Sequence, residues 1–249
     1  MRFLPALKAA AAVVAAIATP CATAAAGEIA SVIELFTSQG CSSCPPADAL
    51  LAKLAREPGV TALSLPVDYW DYIGWKDTFA SSANTARQKA YAAARGDNHV
   101  YTPQVVVNGL MHAVGSDLVE ITAARQLTNG DKGALRVPLS ISESAAGLAV
   151  QAGGAVEGSA KWGALWVMLV TKSRSVAIGR GENSGRTVTY TNIVRSMKKI
   201  GDWAGGAAHY EIARTELKGA DSDGYVLMLQ ASAGGKPGAI LAVAKGGGL

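Results

Sequence analysis

The chain has 249 residues, with 23 Lys or Arg, 19 Asp or Glu and 3 His, for a formal net charge of +4. Setting Arg2 and Lys8 aside as part of a leader leaves 21 basic against 19 acidic side chains, a balance too even for a nucleic-acid surface. The length exceeds one typical domain and points to two, and no stretch beyond the N-terminal segment is long and apolar enough to be a transmembrane helix.

The chain opens with the pattern of an export signal. Arg2 and Lys8 supply a positive start, residues 9–19 form an apolar run of eleven, and Ala22-Thr23-Ala24 and Ala24-Ala25-Ala26 both fit a small-x-small cleavage pattern. Residues 1–26 are therefore expected to be a signal peptide cleaved near Ala24 or Ala26. A membrane anchor is the alternative, but a bilayer span needs roughly 20 apolar residues. Cys21 could accept a lipid, although Pro20 before it fits that role poorly. No twin arginine is present, which favours the general secretory route. The expectation is a soluble mature protein, periplasmic or secreted, without membrane insertion after cleavage.

Residues 31–38 read as an apolar strand ending at Gln39-Gly40, directly before Cys41-Ser42-Ser43-Cys44. Pro45-Pro46 opens a helix with apolar residues at helical spacing up to Glu57-Pro58-Gly59. Residues 60–67 form a second strand, 68–75 an aromatic loop or short helix, and 82–95 a polar helix. Two strands, 104–107 and 110–114, flank Asn108-Gly109, a strong hairpin signal. Gly115-Ser116-Asp117 caps a last helix from Leu118 to about Leu127. The order is β-α-β-α-β-β-α over residues 27–132. From 133 to 249 the texture changes to six or seven short strands separated mostly by Gly, Ser and Asp, with residues 192–200 read as a short helix. That pattern favours a mainly β, immunoglobulin-like sandwich as a second domain.

Three cysteines are present, and the leader would carry Cys21 away. The remaining Cys41 and Cys44 close a four-residue loop, which removes little unfolded-state entropy and makes a weak staple. Chemistry explains the pair better. A thiolate is the reactive form of cysteine, and a helix N-terminus lowers a thiol pKa through its free N–H groups and dipole. Two intervening residues let Cys44 reach Cys41 and resolve a mixed disulfide. Ser42 and Ser43 could add hydroxyl donors. Structural zinc would need about four ligands, and only His99, His112 and His209 join the two cysteines. Copper(I) is less demanding. Two thiolates with His99 as third ligand would suffice, and a plain surface histidine is the alternative. No metal or other cofactor is otherwise expected.

Pro103, after Thr102 and opening a strand about 60 residues past the cysteines, resembles the cis-proline loop of thioredoxin-like proteins. That resemblance implies that Thr102 and Pro103 lie against the cysteine pair and shape a peptide-binding site. Glu34, seven residues before Cys41, resembles the buried acid that such oxidoreductases place six residues before the first cysteine as a proton acceptor. The extra residue reverses a strand face unless a bulge at Gln39-Gly40 restores it. The aromatic group Tyr69, Trp70, Tyr72 and Trp75 either lines a substrate groove, with Trp70 in contact, or forms a satellite core. The run 179–186 is glycine-rich without the strand-then-helix context of phosphate binding and reads as a hairpin tip.

With Val32-Ile33-Glu34-Leu35-Phe36-Thr37-Ser38-Gln39-Gly40 before the cysteines, Pro45-Pro46-Ala47-Asp48 after them, Val67-Asp68-Tyr69-Trp70-Asp71, Tyr101-Thr102-Pro103-Gln104 and the stretch 181–195, the chain resembles an exported bacterial thioredoxin-like family catalogued as domain of unknown function 1223. The resemblance covers nearly the whole mature chain. It implies export and an α/β thioredoxin-like domain, and it supplies no reaction. The function expected from the residues is thiol–disulfide exchange: Cys41 as nucleophile, Cys44 as resolving thiol and a thiol or disulfide protein as substrate, with a membrane redox partner to recycle it. A copper(I)-binding protein and a recognition module with an oxidised clip are the competing readings.

Overall fold

The computed structural model describes residues 31–219 and 221–249 together with Met1 and the pair at 24–25. The expected signal peptide, its cleavage point and Cys21 fall almost entirely outside the described residues.

Among the described residues, two sheets and three α-helices organise the chain. Strands β1 (Ala24–Ala25), β6 (Leu139–Glu143), β7 (Gly147–Ala152) and β10 (Ala208–Ala213) form a four-stranded sheet in the order β1-β6-β7-β10. The second sheet has eight strands. It is built from β2 (Ser31–Thr37), β3 (Val60–Pro66), β4 (Gln104–Val107), β5 (Met111–Val114), β8 (Gly163–Ala177), β9 (Thr187–Trp203), β11 (Gly224–Ala233) and β12 (Lys236–Gly246). Their order is β12-β11-β8-β9-β3-β2-β4-β5, with parallel pairing only at β2–β3 and β3–β9. Helices α1 (Pro45–Leu54), α2 (Ser82–Arg95) and α3 (Leu118–Thr128) complete the frame.

This architecture corrects the expectation of an α/β thioredoxin-like domain followed by an immunoglobulin-like sandwich. The chain is mainly β, and one mixed sheet runs through both halves. The join is at β9, where Ser64 of β3 pairs with Ile193 and Asn192, in a left-handed conformation (φ 49), donates its side-chain N–H to the Ala62 carbonyl at 2.9 Å. The physical reason lies in strand composition. An immunoglobulin-type strand turns alternate residues to water, whereas Tyr225 to Gln230 of β11 are buried without alternation. Tyr225, Leu227 and Leu229 pack toward the four-stranded sheet with Leu148, Val150 and Trp203. Val226 and Met228 pack on the other side with Phe36, Leu65 and Tyr91 from the first half. Strands covered on both faces read as continuous apolar runs. The stretch read as a helix at 192–200 is the middle of the seventeen-residue β9.

Helices α1 and α3 cover the opposite face of β2, β3 and β4. There Ala47, Leu51, Leu54, Ile121 and Ala124 meet Ile33, Leu35, Ala62 and Val105. Burying such side chains contributes about 1.5–3 kcal/mol each for the larger ones. Local signals set the helix ends. Ser81 accepts from the Ala83 N–H and starts α2, and Gly96 (φ 81) ends it. Asp117 accepts from the Val119 and Glu120 N–H groups and starts α3. Asn108 (φ 51) and Gly109 (φ 72) make the β4–β5 turn in the left-handed conformations a tight hairpin requires.

Candidate functional site

The site begins where β2 ends. Pro45 and Pro46, which have no N–H to leave unsatisfied, open α1. Cys44 is the N-cap, and its carbonyl accepts from the Ala47 and Asp48 N–H groups at 2.9 and 3.0 Å. Cys41 lies in the turn ahead of the helix, with its carbonyl accepting from the Cys44 N–H at 3.2 Å. The two cysteines form a disulfide with Cα atoms 5.4 Å apart. Both are 0% exposed, although Ser42 and Ser43 between them face solvent.

Three segments hold this turn. Gln39, fully buried, receives the Trp75 indole N–H and the Thr78 N–H on its side-chain carbonyl at 2.8 and 3.3 Å, and donates its backbone N–H to Asp77 at 2.8 Å. Gly40 has Trp70 and Ile73 against it: a Cβ there would lie 3.1 Å from Trp70 Cβ and 3.2 Å from Ile73 Cδ1. The third segment comes from the second half of the chain, in the loop between β8 and β9. The Asn183 amide, 1% exposed, donates to the Gln39 and Cys41 carbonyls at 2.9 and 2.8 Å. The Glu182 carboxylate accepts from the Ser42 N–H at 3.2 Å.

The Thr102–Pro103 peptide is cis. Pro103 stands beside α1, since a Cβ added at Gly115 would meet Leu35 Cδ1 at 2.7 Å, Pro103 Cβ at 3.0 Å and Ala47 Cβ at 3.2 Å. Thr102 Oγ1 accepts from the Trp70 indole N–H at 2.8 Å. Trp70 thus bridges Gly40 and Thr102, and four of the residues singled out from the sequence (Cys41, Cys44, Thr102 and Pro103) gather around it and the start of α1. Tyr72 is 83% exposed, while Trp70 and Trp75 are half-buried and brace the cysteine turn.

Glu34 is placed elsewhere. It is fully buried on the β2 face shared by Val32 and Phe36, opposite the face that α1 covers. Its carboxylate accepts from Arg87 at 2.7 and 3.1 Å and from the Tyr91 hydroxyl at 2.5 Å, and Gln230 of β11 donates to Tyr91 at 2.7 Å. The strand reaches Thr37 without a bulge in its pairing with β3, so the seven-residue spacing keeps Glu34 on the α2 side.

A second buried acid, Asp48, lies in the first turn of α1. It follows Cys44 by four residues on the same helix face, and helical side chains lean toward the N-terminus, here toward Cys44. It is 2% exposed, and neither carboxyl oxygen has a hydrogen-bond partner. Burial pushes its pKa well above the ordinary carboxylate range and Asp77 adds to the rise; Thr37 opposes it from close by, without a hydrogen bond of normal geometry. Asp77 is itself raised by burial, against the hydrogen bonds it accepts from Gln39 and Phe79. Tyr190 of β9 faces both acids, and burial first and then their charges hold its phenol above its usual value. Asp48 carried a sequence signal, an acid in the first turn of a helix capped by cysteine. Asn183 and Glu182 carried none beyond a glycine-flanked turn.

His99, the third-ligand candidate for copper, lies with Asp97 and His112, and their donor atoms are all within 4.8 Å of one another. Arg95 holds both Asp97 oxygens at 2.7 and 3.2 Å and lowers that carboxyl's pKa to about 2. Burial, with the Arg95 charge, lowers the His112 pKa. The carboxylate is thus already neutralised by a guanidinium, which opposes a further cation at the same oxygens.

The chain belongs to the family described as "Protein of unknown function (DUF1223)", whose model matches residues 32–230. The crystal structure of protein AGR_C_4864 from Agrobacterium tumefaciens is similar at a TM-score of 0.76 and 32% identity, over 87% of this chain and 93% of that one. HBP35 of Porphyromonas gingivalis is similar in fold at a TM-score of 0.51 and 11% identity, over 87% of this chain and 74% of that one. A 37-residue segment is 46% identical to a protein named "Probable Thioredoxin" from Archaeoglobus fulgidus. That match takes in 15% of this chain and 41% of the relative's length.

Proposed function

We propose that this protein is a thiol–disulfide oxidoreductase acting through Cys41 and Cys44 on protein or small-molecule thiols. The observation that carries the reading is the Cys41–Cys44 disulfide at the cap of α1, with the Thr102–Pro103 loop packed beside the first turn of the same helix. A local clip would not need a second loop placed over the helix start, and the short match to a thioredoxin-named relative points the same way.

In reduction of the pair, an incoming thiolate attacks Cys41 Sγ. The new mixed disulfide forms as the Cys41–Cys44 bond breaks, and Cys44 leaves as a thiolate. That thiolate is then protonated, and Asp48, one helical turn past Cys44 with its pKa raised by burial, is a buried acid suited to supply the proton. A second thiolate then attacks the mixed disulfide, releasing the oxidised partner and Cys41. The reverse sequence oxidises a substrate dithiol. Free N–H groups at the helix start stabilise the cysteine sulfur as an anion. Thr102 and Trp70 form the wall against which a substrate segment would lie. The leader pattern at Arg2, Lys8 and residues 9–19 supports placing this chemistry in the periplasm or outside the cell, where a membrane redox partner would recycle the pair.

A Cys44→Ser variant tests this directly. It should accumulate mixed disulfides through Cys41, visible as thiol-sensitive mass additions. If nothing is trapped, and the wild-type dithiol is also inert toward glutathione and small disulfides, the reading is wrong.

A further inference from the structure

Both cysteines are completely buried although they sit in a surface turn, and exchange needs a thiolate in line with the S–S bond. One loop from far along the chain is bonded to the backbone of that turn. The loop of residues 178–186 crosses from the second half of the chain, and its links to the cysteine turn are side-chain bonds: two from Asn183 and one to Glu182. Gly181 lies over Trp75, with its Cβ position 3.4 Å from Trp75 Cβ, and Gly179 lies 3.3 Å from the same indole ring by the same measure. The positive φ of 77 at Gly181 suits this close approach.

The loop is knit internally in a way that does not depend on the cysteine turn. Ile178 N–H donates to Arg186 O at 2.9 Å and Gly185 N–H to Ile178 O at 2.8 Å. Ser184 N–H donates to Gly181 O at 3.1 Å, and Arg186 N–H to Asn183 O at 3.1 Å. At its base Ile178 is anchored in a small core with Val188, Tyr190 and Ile193. Lifting the tip would break three hydrogen bonds and some glycine–indole contact while leaving the loop's own bonds intact. Such an element moves as a unit.

We infer that the 178–186 loop is a cap that must lift before the Cys41–Cys44 disulfide exchanges, with Asn183 as the positioning residue that latches it. The inference rests on the reading of that pair as an exchanging disulfide. Closed, Asn183 fixes the carbonyls on either side of Gly40, and Glu182 occupies the Ser42 N–H, which would otherwise stabilise a Cys41 thiolate. Open, the sulfur is reachable and that N–H is free. The substrate is then one that engages the loop or the neighbouring indoles of Trp70 and Trp75 and so displaces the latch.

The test follows the reduction of the oxidised protein by dithiothreitol over a wide concentration range in three forms: wild type, Asn183→Asp and Glu182→Ala. Asn183→Asp is isosteric but loses both N–H donors to the carbonyls. The wild-type rate should saturate as opening becomes limiting. Asn183→Asp should reduce about ten- to a hundred-fold faster at low thiol and saturate later, the effect of losing one or two buried hydrogen bonds. In the reduced protein, Glu182→Ala should shift the pH profile of Cys41 alkylation to lower pH, which a purely structural role would not do. Thermal unfolding checks that each variant is folded; if Asn183→Asp is not, Asn183→Ser takes its place. A wild-type rate linear in thiol and equal to that of the folded Asn183 variant overturns the cap. Turnover of a protein disulfide is read separately. Faster reduction of the variant with no turnover in either form leaves the cap standing and removes the oxidoreductase reading.

Discussion

Asp48 makes the most quantitative prediction about this site. Its carboxyl is 2% exposed without a hydrogen-bond partner, and its pKa stands well above that of an exposed aspartate near 3.9. The folded state therefore retains a proton that the unfolded chain gives up. Below about pH 4 both states are protonated, and this group adds no pH dependence. Above that point the unfolded chain ionises alone, so stability falls as pH rises, by about 1.4 kcal/mol for each pH unit, until pH reaches the folded pKa. Asp48→Asn keeps the shape and removes the titration. Asp77 is raised in the same sense but is present in both proteins, so it largely cancels in the comparison. Urea unfolding of the oxidised proteins at intervals from pH 4 to pH 8 should show the variant gaining steadily on wild type across the lower part of that range. Parallel stability curves, or a wild type that gains on Asp48→Asn with rising pH, would refute the assignment of a raised pKa to the buried Asp48 carboxyl.

Two further predictions concern the frame of the site. Arg87→Met should cost about 3–5 kcal/mol in denaturant unfolding, because it strands the fully buried Glu34 carboxylate that Arg87 holds at 2.7 Å. The double variant Glu34→Leu, Arg87→Met should recover most of that loss, and equal losses in single and double variants would show that the ion pair is not the cause. Gly115→Ala should lower the thermal midpoint through a loss of about 1–3 kcal/mol, since its Cβ would press on Leu35, Pro103 and Ala47. By moving Pro103 off α1 it should also slow exchange at the cysteine pair, and normal exchange in that variant would argue against a role for the proline loop. The trapping experiment with Cys44→Ser and the kinetics of the Asn183 variants complete the set.

Local chemistry made much of the first half legible from residues alone. Prolines without N–H groups start α1 after Cys44, Ser81 and Gly96 bound α2, Asp117 starts α3, and Asn108-Gly109 turns the β4–β5 hairpin. Each is an interaction between neighbours a few residues apart, so order in the sequence suffices to read it. The close approach of Pro103 to the helix start was legible only through a resemblance. In the second half, burial overrides local preference. Residues 192–200 carry helix-compatible spacing, yet they lie in β9 between β8 and β3, where sheet pairing decides their conformation.

The sequence by itself determined that a four-residue cysteine loop stands at a helix start. Only the tertiary structure decided what surrounds it. Strand parity sends Glu34 to the face of β2 that α1 does not cover, because a side chain's face depends on pairing that the spacing alone does not fix. Glu182 and Asn183, 140 and 144 positions from their partners Ser42 and Gln39, bond to the turn because long-range sheet pairing at β9 carries their loop there. In the folded chain the Cys41–Cys44 pair is a disulfide with both cysteines fully buried.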